Sequence, residues 1–200
     1  MLTTSDEKIA ERVRMMSLHG LSKNAWTRFE AKGSWYYEIV EAGFKYNLTD
    51  VAAAIGLAQL GKANDLWRER QALAASYREL LAECAELVDV HPELEDRQSS
   101  WHLFPVKLNL EAMSIDRGQF IDEMKAAGVT CSVHWMPLHL HPYYVREYGY
   151  RPEEFPQASA VWPRLVSLPI FPGMSRDEVE YVANTVKAIA VRHARQAVGV

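Results

Sequence analysis

Between Thr49 and Leu81 the apolar residues Val51, Ile55, Ala58, Leu66, Leu73, Tyr77 and Leu81 recur at helical spacing behind a Thr49-Asp50 cap. After Cys84 that spacing gives way to short strands alternating with helices. This change of period constrains the fold more than any other feature. It predicts a helical segment, 1–86, joined to a small α+β lobe, 87–200, with a sheet and helices on one face. Gly56 and Gly61 lie inside the long helix, where each costs about 1 kcal/mol against alanine. Such glycines suit tight packing against another helix or a neighbouring subunit.

Around that joint the remaining elements follow from local signals. Ser5 is the expected N-cap of a first helix carrying Ile9, Val13 and Met16, with Asp6 and Glu7 in its first turn and Gly20 as its stop. From Leu21 to Tyr46 the periodicity fails, and Lys32-Gly33-Ser34 marks a turn within a long, aromatic-rich loop. Trp101–Leu108 reads as a strand, its Pro105 suggesting an edge or a bulge. Asp116 caps a helix through Met124 that ends at Gly128, and Val129–Trp135 reads as another strand. Short helices follow around Tyr143–Tyr148 and Gln157–Trp162, then a strand over Val166–Phe171. Ser175 with Glu178 makes a capping box for a final helix.

Composition narrows the function classes. A formal net charge of −4 over 200 residues provides no broad basic field for nucleic acid. Cys84 and Cys131 are far apart and outside any C-x-x-C spacing, which suits a reducing compartment. No apolar run reaches the roughly 18 residues of a membrane span, and the N-terminal residues have no signal-peptide pattern. Cytoplasm is the expected location. Six Trp, nine Tyr and nine Pro gather in two stretches, Trp26–Tyr46 and Trp101–Pro172, pointing to pocket walls or a subunit interface.

The residues alone offer no complete catalytic set. His134, His139 and His141 lie within eight residues, yet zinc needs three or four ligands converging at about 2 Å. No Cys pair or H-E-x-x-H helix accompanies them, so they read as pocket-lining or structural histidines, with no metal expected. G-x-S-x-G, Walker and G-x-G-x-x-G motifs are absent. The lysines are few and scattered, none in a Ser/His-rich loop of the kind that presents a Schiff-base amine. On this ground the chain is a binding or partial-site module.

An ordered series of segments nevertheless resembles a known family. Gly43-Phe44-Lys45-Tyr46-Asn47-Leu48-Thr49-Asp50-Val51, continuing to Leu60, is similar to the interface segment of the DegT-type sugar aminotransferases. Trp101-His102-Leu103-Phe104, Val133-His134-Trp135-Met136-Pro137-Leu138-His139 and Ser167-Leu168-Pro169-Ile170-Phe171-Pro172-Gly173 continue the match in the family's order. The first residues resemble the stretch that follows the family's cofactor lysine.

The resemblance implies an α/β fold, part of a fold type I transferase dependent on pyridoxal 5'-phosphate (PLP): the helical end of a large domain followed by a small α+β C-terminal domain. It implies a homodimer whose site is shared between subunits, with amino transfer, usually from glutamate, onto a keto-sugar nucleotide. Leu21–Asn47 would reach toward the partner's PLP phosphate, making Lys45 and Asn47 the cofactor-side candidates. Many relatives carry Asn at the position of Lys45 and Arg at that of Asn47; Lys45-Tyr46-Asn47 resembles the branch making 4-amino-4-deoxy-L-arabinose nucleotides for lipopolysaccharide. His134, His139 and Trp35 are the implied substrate-side residues. Packing and loop bracing is the alternative role of the two histidines, and dimer contact that of Trp35, Tyr36 and Tyr37. No catalytic residue is expected within the chain, because the family's Schiff-base lysine and ring carboxylate precede its first position. The expectation is therefore a C-terminal part that is inactive alone. A sugar dehydratase of the same family, in which histidine replaces the lysine, and a non-catalytic dimerisation or regulatory module are the alternatives.

Overall fold

The computed structural model describes residues 2–22 and 38–195. They form two compact units, Met1–Gly61 and Lys62–Val200.

In the first unit, α1 (Glu7–Ser17) is capped by Asp6, whose carboxylate accepts from the Lys8 and Ile9 amides at 2.9 and 3.3 Å. Asp6 takes the role expected of Ser5, since a carboxylate also favours the positive end of the helix dipole. The chain turns at Gly20, and residues 38–46 run back along the end of α1. Phe44 and Tyr46 donate to the Met16 and Ser17 carbonyls at 2.7 and 2.8 Å, and Val40 donates to Gly20 O at 2.9 Å. α2 (Asp50–Leu60) starts at Thr49, whose hydroxyl accepts from the Ala52 amide at 3.3 Å. No side chain of α1 or α2 is buried.

The single helix expected from Thr49 to Leu81 is two helices. α2 stops at Gly61, and α3 (Ala63–Leu81) begins after Lys62 without a side-chain cap. Glycine has the least to lose by leaving a helix, so the break falls there. Residues 62–86, grouped by their sequence with the first half, belong to the second unit. Leu73, Ala74, Tyr77 and Leu81 place one face of α3 in that unit's core.

The rest of that core is a three-stranded antiparallel sheet and two helices. β1 (Val88–Val90), β2 (Phe104–Leu108) and β3 (Leu165–Leu168) lie in the order β1-β2-β3, with Val88 opposite Leu108 and Phe104 opposite Leu168. In β2, Phe104, Val106 and Leu108 are fully buried while Pro105 and Lys107 between them are half-buried. This is the period-2 pattern of a sheet with one covered face. α4 (Arg117–Ala126) contributes Phe120 and Met124. Short α5 (Pro142–Tyr148) and α6 (Pro156–Val161) follow. α7 (Arg176–Arg192) brings Val179, Val182, Ala183, Val186, Ile189 and Ala190 inward. The Asp116 cap and the Ser175 capping box form as expected, and Gln119 completes a capping box at Asp116 as well.

Two strand expectations change. Pro105 sits in the central strand, neither on an edge nor at a bulge. Its opposite residue, Ser167, spends both backbone groups on Ser132, at 2.7 and 3.1 Å. Pro105 therefore faces β3 at a non-hydrogen-bonded pair, and its nitrogen points past Val90, where β1 ends, so no ladder bond is lost. Val129–Trp135 pairs only through the Ser132–Ser167 bridge and is otherwise irregular. Strand β1 carries no strong periodicity signal of its own.

Candidate functional site

The residues singled out by sequence fall into separate settings. Lys45 bridges Leu18 in the first unit. It and Asn47 are exposed and make no side-chain hydrogen bond with the described residues. The neighbouring Phe44 and Tyr46 rings stack at 5.0 Å, and Thr49 starts α2 two residues beyond Asn47. The reversal that brings Lys45 alongside α1 depends on glycine. Gly20 has φ +68°, and a Cβ on Gly43 would lie 2.1 Å from the Gly20 nitrogen. Trp35 lies outside the described residues, as do Tyr36 and Tyr37.

A larger hollow in this unit, about 900 Å3, is lined by Lys8, Arg12, Arg14, Glu11 and Glu41 among others. Arg12 pairs with Glu41 across it at 2.5 Å. The candidates Lys45 and Asn47 do not line it.

In the second unit, His134 borders a cavity of about 280 Å3 with His102, Thr130, Ser132, Ser167 and Phe171. Its Nδ1 lies 2.9 Å from the hydroxyl of Ser167, a buried residue of β3. Two imidazoles, three hydroxyls and the exposed Phe171 ring give this wall hydrogen-bonding groups beside apolar surface, the mixture found in small-molecule sites.

His139 has a different setting. It is buried, stacked on Phe155 at 4.5 Å, and its Nε2 lies 2.9 Å from the Ser159 hydroxyl. Ser159 donates its own proton to Pro152 O at 2.9 Å, so His139 Nε2 carries the proton between them. That arrangement ties residues 138–140 to 152–159 and matches loop bracing. His141 Nε2 approaches Met136 O at 3.3 Å. The three clustered histidines thus serve three different partners, and among the described residues no group of three His, Cys, Asp or Glu could hold a metal ion.

Side chains of α3 hold the cavity's rim, a role the sequence does not flag. One Arg70 guanidinium nitrogen reaches the carbonyls of Trp101, His102 and Ile170 at 3.0, 3.2 and 3.1 Å. Glu69 accepts from the Gly173 amide at 3.1 Å, Gln71 accepts from the Trp101 indole at 2.8 Å, and Tyr77 donates to Pro169 O at 2.9 Å. Every partner lies at least 30 residues away in sequence, so helical spacing could mark Arg68, Glu69 and Arg70 only as a charged face. Burial pushes the Tyr77 hydroxyl well above its ordinary pKa and the Cys131 thiol up to about 11, so both stay neutral near pH 7. Among the described residues no helix is long and apolar enough to cross a membrane.

Comparison with known proteins agrees with this architecture. The DegT/DnrJ/EryC1/StrS aminotransferase family matches residues 1–187. An uncharacterized protein of Methanocaldococcus jannaschii is 43% identical over 190 residues, covering 94% of this chain and 49% of the relative. The spore coat polysaccharide biosynthesis protein SpsC of Bacillus subtilis is 38% identical over 192 residues, with the same coverage of each. The chain thus spans about half the length of the curated relatives it matches. Among solved structures, Spr1654 of Streptococcus pneumoniae in its PLP form, described as a sugar aminotransferase, superposes with a TM-score of 0.77 at 28% identity, over 94% of this chain and 45% of that one. DesV of S. venezuelae does so with a TM-score of 0.76 at 26% identity, over 94% and 46%. Its sequence over residues 1–187 and its fold place this chain in the DegT/DnrJ/EryC1/StrS aminotransferase family.

Proposed function

We propose that this chain is the C-terminal half of a PLP-dependent aminotransferase that moves an amino group, from glutamate, onto a keto-sugar nucleotide. The observation that carries the reading is the likeness, over 94% of the chain, to a sugar aminotransferase solved with the cofactor in both its PLP and its PMP form. Those are the two cofactor states between which an amino group is transferred.

The residues present fit one end of the cofactor. Lys45 offers a cation and Asn47 an amide donor, both exposed and without a side-chain hydrogen bond to the described residues, just before the N-terminus of α2. A phosphate group is stabilised by such donors and by the helix dipole. When bound, PLP supplies the electron sink for amino transfer. In this reading the Schiff-base lysine and the ring-binding carboxylate come from outside these 200 residues. The chain's own residues hold phosphate and build the substrate-side wall: His134 offers a ring nitrogen to sugar or diphosphate oxygens, and His139 braces the loop behind it. In this reading Trp35 is a further substrate-side residue.

The exposed apolar residues of α1 and α2 support a paired assembly. Ile9, Val51, Ile55 and Leu57 are 47, 73, 60 and 72% exposed. A helix that is apolar all round, as α2 is, is stable only when covered. In the proposed homodimer this surface is covered by large-domain strands and by the second subunit, and the site is shared. The Lys45-Tyr46-Asn47 segment favours a 4-keto sugar nucleotide of lipopolysaccharide modification, handled in the cytoplasm.

The test is the reading frame upstream of Met1, followed by the polypeptide it encodes. A continuous frame ending in a Lys-containing, Ser/His-rich loop is expected, and the complete protein should bind PLP with an internal-aldimine absorption band. Lys45→Ala should weaken PLP binding about tenfold, the loss of one charge-assisted contact. A stop codon directly upstream, with the 200-residue chain unfolding cooperatively, would overturn the reading in favour of a non-catalytic module.

A further inference from the structure

We propose that Ser167 is a positioning residue that holds the proton of His134 on Nε2, making His134 a hydrogen-bond donor to an acceptor oxygen of a sugar in the 280 Å3 cavity. The ligand's class rests on the amino-transfer reading above; the proton's position does not.

The inference follows from where a buried hydroxyl can send its proton. Ser167 is 4% exposed. Its backbone amide and carbonyl are both occupied by Ser132, so neither is free to satisfy the side chain. Among the described residues the one polar contact of its Oγ is His134 Nδ1 at 2.9 Å. Were Nδ1 protonated, the imidazole would donate to Ser167 and the hydroxyl proton would have no acceptor among the described residues. Buried donors are almost always satisfied, because an unmet one forfeits its hydration without replacement. The hydroxyl therefore donates to an unprotonated Nδ1, and the ring's proton resides on Nε2.

Geometry then decides what His134 offers. Nε2 is across the ring from Nδ1, and the structure gives it no partner among the described residues. His134 packs edge-on against Trp135, with ring centroids 4.7 Å apart. A neutral imidazole in this form presents an N–H and no lone pair on the edge of the ring opposite Ser167, and His134 lines the cavity. It selects an oxygen acceptor, and the Thr130 and Ser132 hydroxyls beside it suit the remaining groups of a polyhydroxylated ligand. In a strand of Leu165, Val166 and Leu168, a serine at 167 is accounted for by this bond.

The test reads the tautomer directly. Long-range 1H–15N correlation spectra of the uniformly labelled chain, recorded at a pH where its histidines are neutral, resolve the two ring nitrogens; the signal absent in His134→Gln assigns His134. The Nε2–H form should exceed the Nδ1–H form by tenfold or more, the ratio that about 1.4 kcal/mol sets. Ser167→Ala should bring the two forms to within a few-fold, and Ser167→Thr, which keeps the hydroxyl, should retain the excess. A wild-type Nδ1–H form, or an unchanged ratio in Ser167→Ala, overturns the assignment. Should Ser167→Ala fail to fold, the wild-type and Ser167→Thr spectra decide it: an Nε2–H excess in both supports it, and its loss in either overturns it. In the complete enzyme Ser167→Ala should raise KM for the keto-sugar nucleotide about tenfold with a smaller change in kcat. A tautomer shift without a KM change overturns the sugar contact, while absence of amino transfer in the wild-type enzyme overturns the functional reading and leaves the tautomer result standing.

Discussion

Gly20 and Gly43 approach so closely that a Cβ built on Gly43 would lie 2.1 Å from the Gly20 nitrogen, and one on Gly20 would lie 1.8 Å from the Glu41 carbonyl oxygen. Backbone, not flexible side chain, is what each would meet, so neither position can yield without opening the reversal that presents Lys45 and Asn47. Gly43→Ala should destabilise the first unit by about 3 kcal/mol or more, at the upper end of overpacking costs. Gly56→Ala has open space around it and should instead strengthen α2 by up to about 1 kcal/mol. Amide hydrogen exchange in residues 7–22 and 50–60 reads both; faster exchange in Gly56→Ala, or none in Gly43→Ala, contradicts the geometry.

Arg70 ties two rim segments to α3 through the carbonyls of Trp101, His102 and Ile170. Arg70→Met keeps the aliphatic stem and leaves those carbonyls without their cationic donor. A loss of about 1.5–3 kcal/mol in urea unfolding is expected, the range for hydrogen bonds to a charged group. An unchanged urea midpoint would show that water replaces the guanidinium without cost.

His139 is stacked on Phe155 and hydrogen-bonded to Ser159. His139→Phe preserves a ring for the stack but removes the donor, and should cost about 1 kcal/mol; His139→Ala removes both and should cost about 2–4 kcal/mol. Chemical denaturation measures the order. Equal, negligible losses would return His139 to a role in ligand contact alone.

Burial raises the Cys131 thiol from 9.0 to about 11. The folded state then keeps a proton that the unfolded chain releases between those values, so stability must fall as pH rises from about 9 to 11 and is unaffected by this group below pH 9. Cys131→Ala should flatten that part of the stability–pH curve. Native Cys131 should also react with a thiol reagent at pH 8 far more slowly than in the unfolded chain, because the thiolate is the nucleophile.

Val51, Ile55, Leu57 and Leu60 leave α2 apolar and 60% exposed or more. The 200-residue chain should associate in solution, and light scattering should show a mass above one chain. Ile55→Asp with Leu57→Asp should lower that mass. A monodisperse wild-type monomer would count against the interface assigned to this segment.

Elements with their own local signal were legible in the sequence. The Asp116 cap, the Ser175 capping box, the strand ending at Leu108, and the apolar residues of α1 and α2 each depend on residues a few positions apart. Where two local options competed, the reading slipped. Asp6 displaced Ser5 as a cap, and Gly61 ended a helix whose periodicity continued on either side. Pro105 argued for an edge strand, and only the pairing of Ser167 with Ser132 explains how a central strand accepts it.

By itself, then, the sequence determined the order of elements, the family and the names Lys45, Asn47, His134 and His139, because caps, periods and motifs are written over short spans. Tertiary structure alone decided their surroundings. His134 received a buried serine and a cavity, His139 an interior stack, and Arg70 three carbonyls up to 100 residues away. Those differences arise from hydrogen-bond partners that only chain folding brings within 3 Å or so of each other, a distance no local pattern encodes.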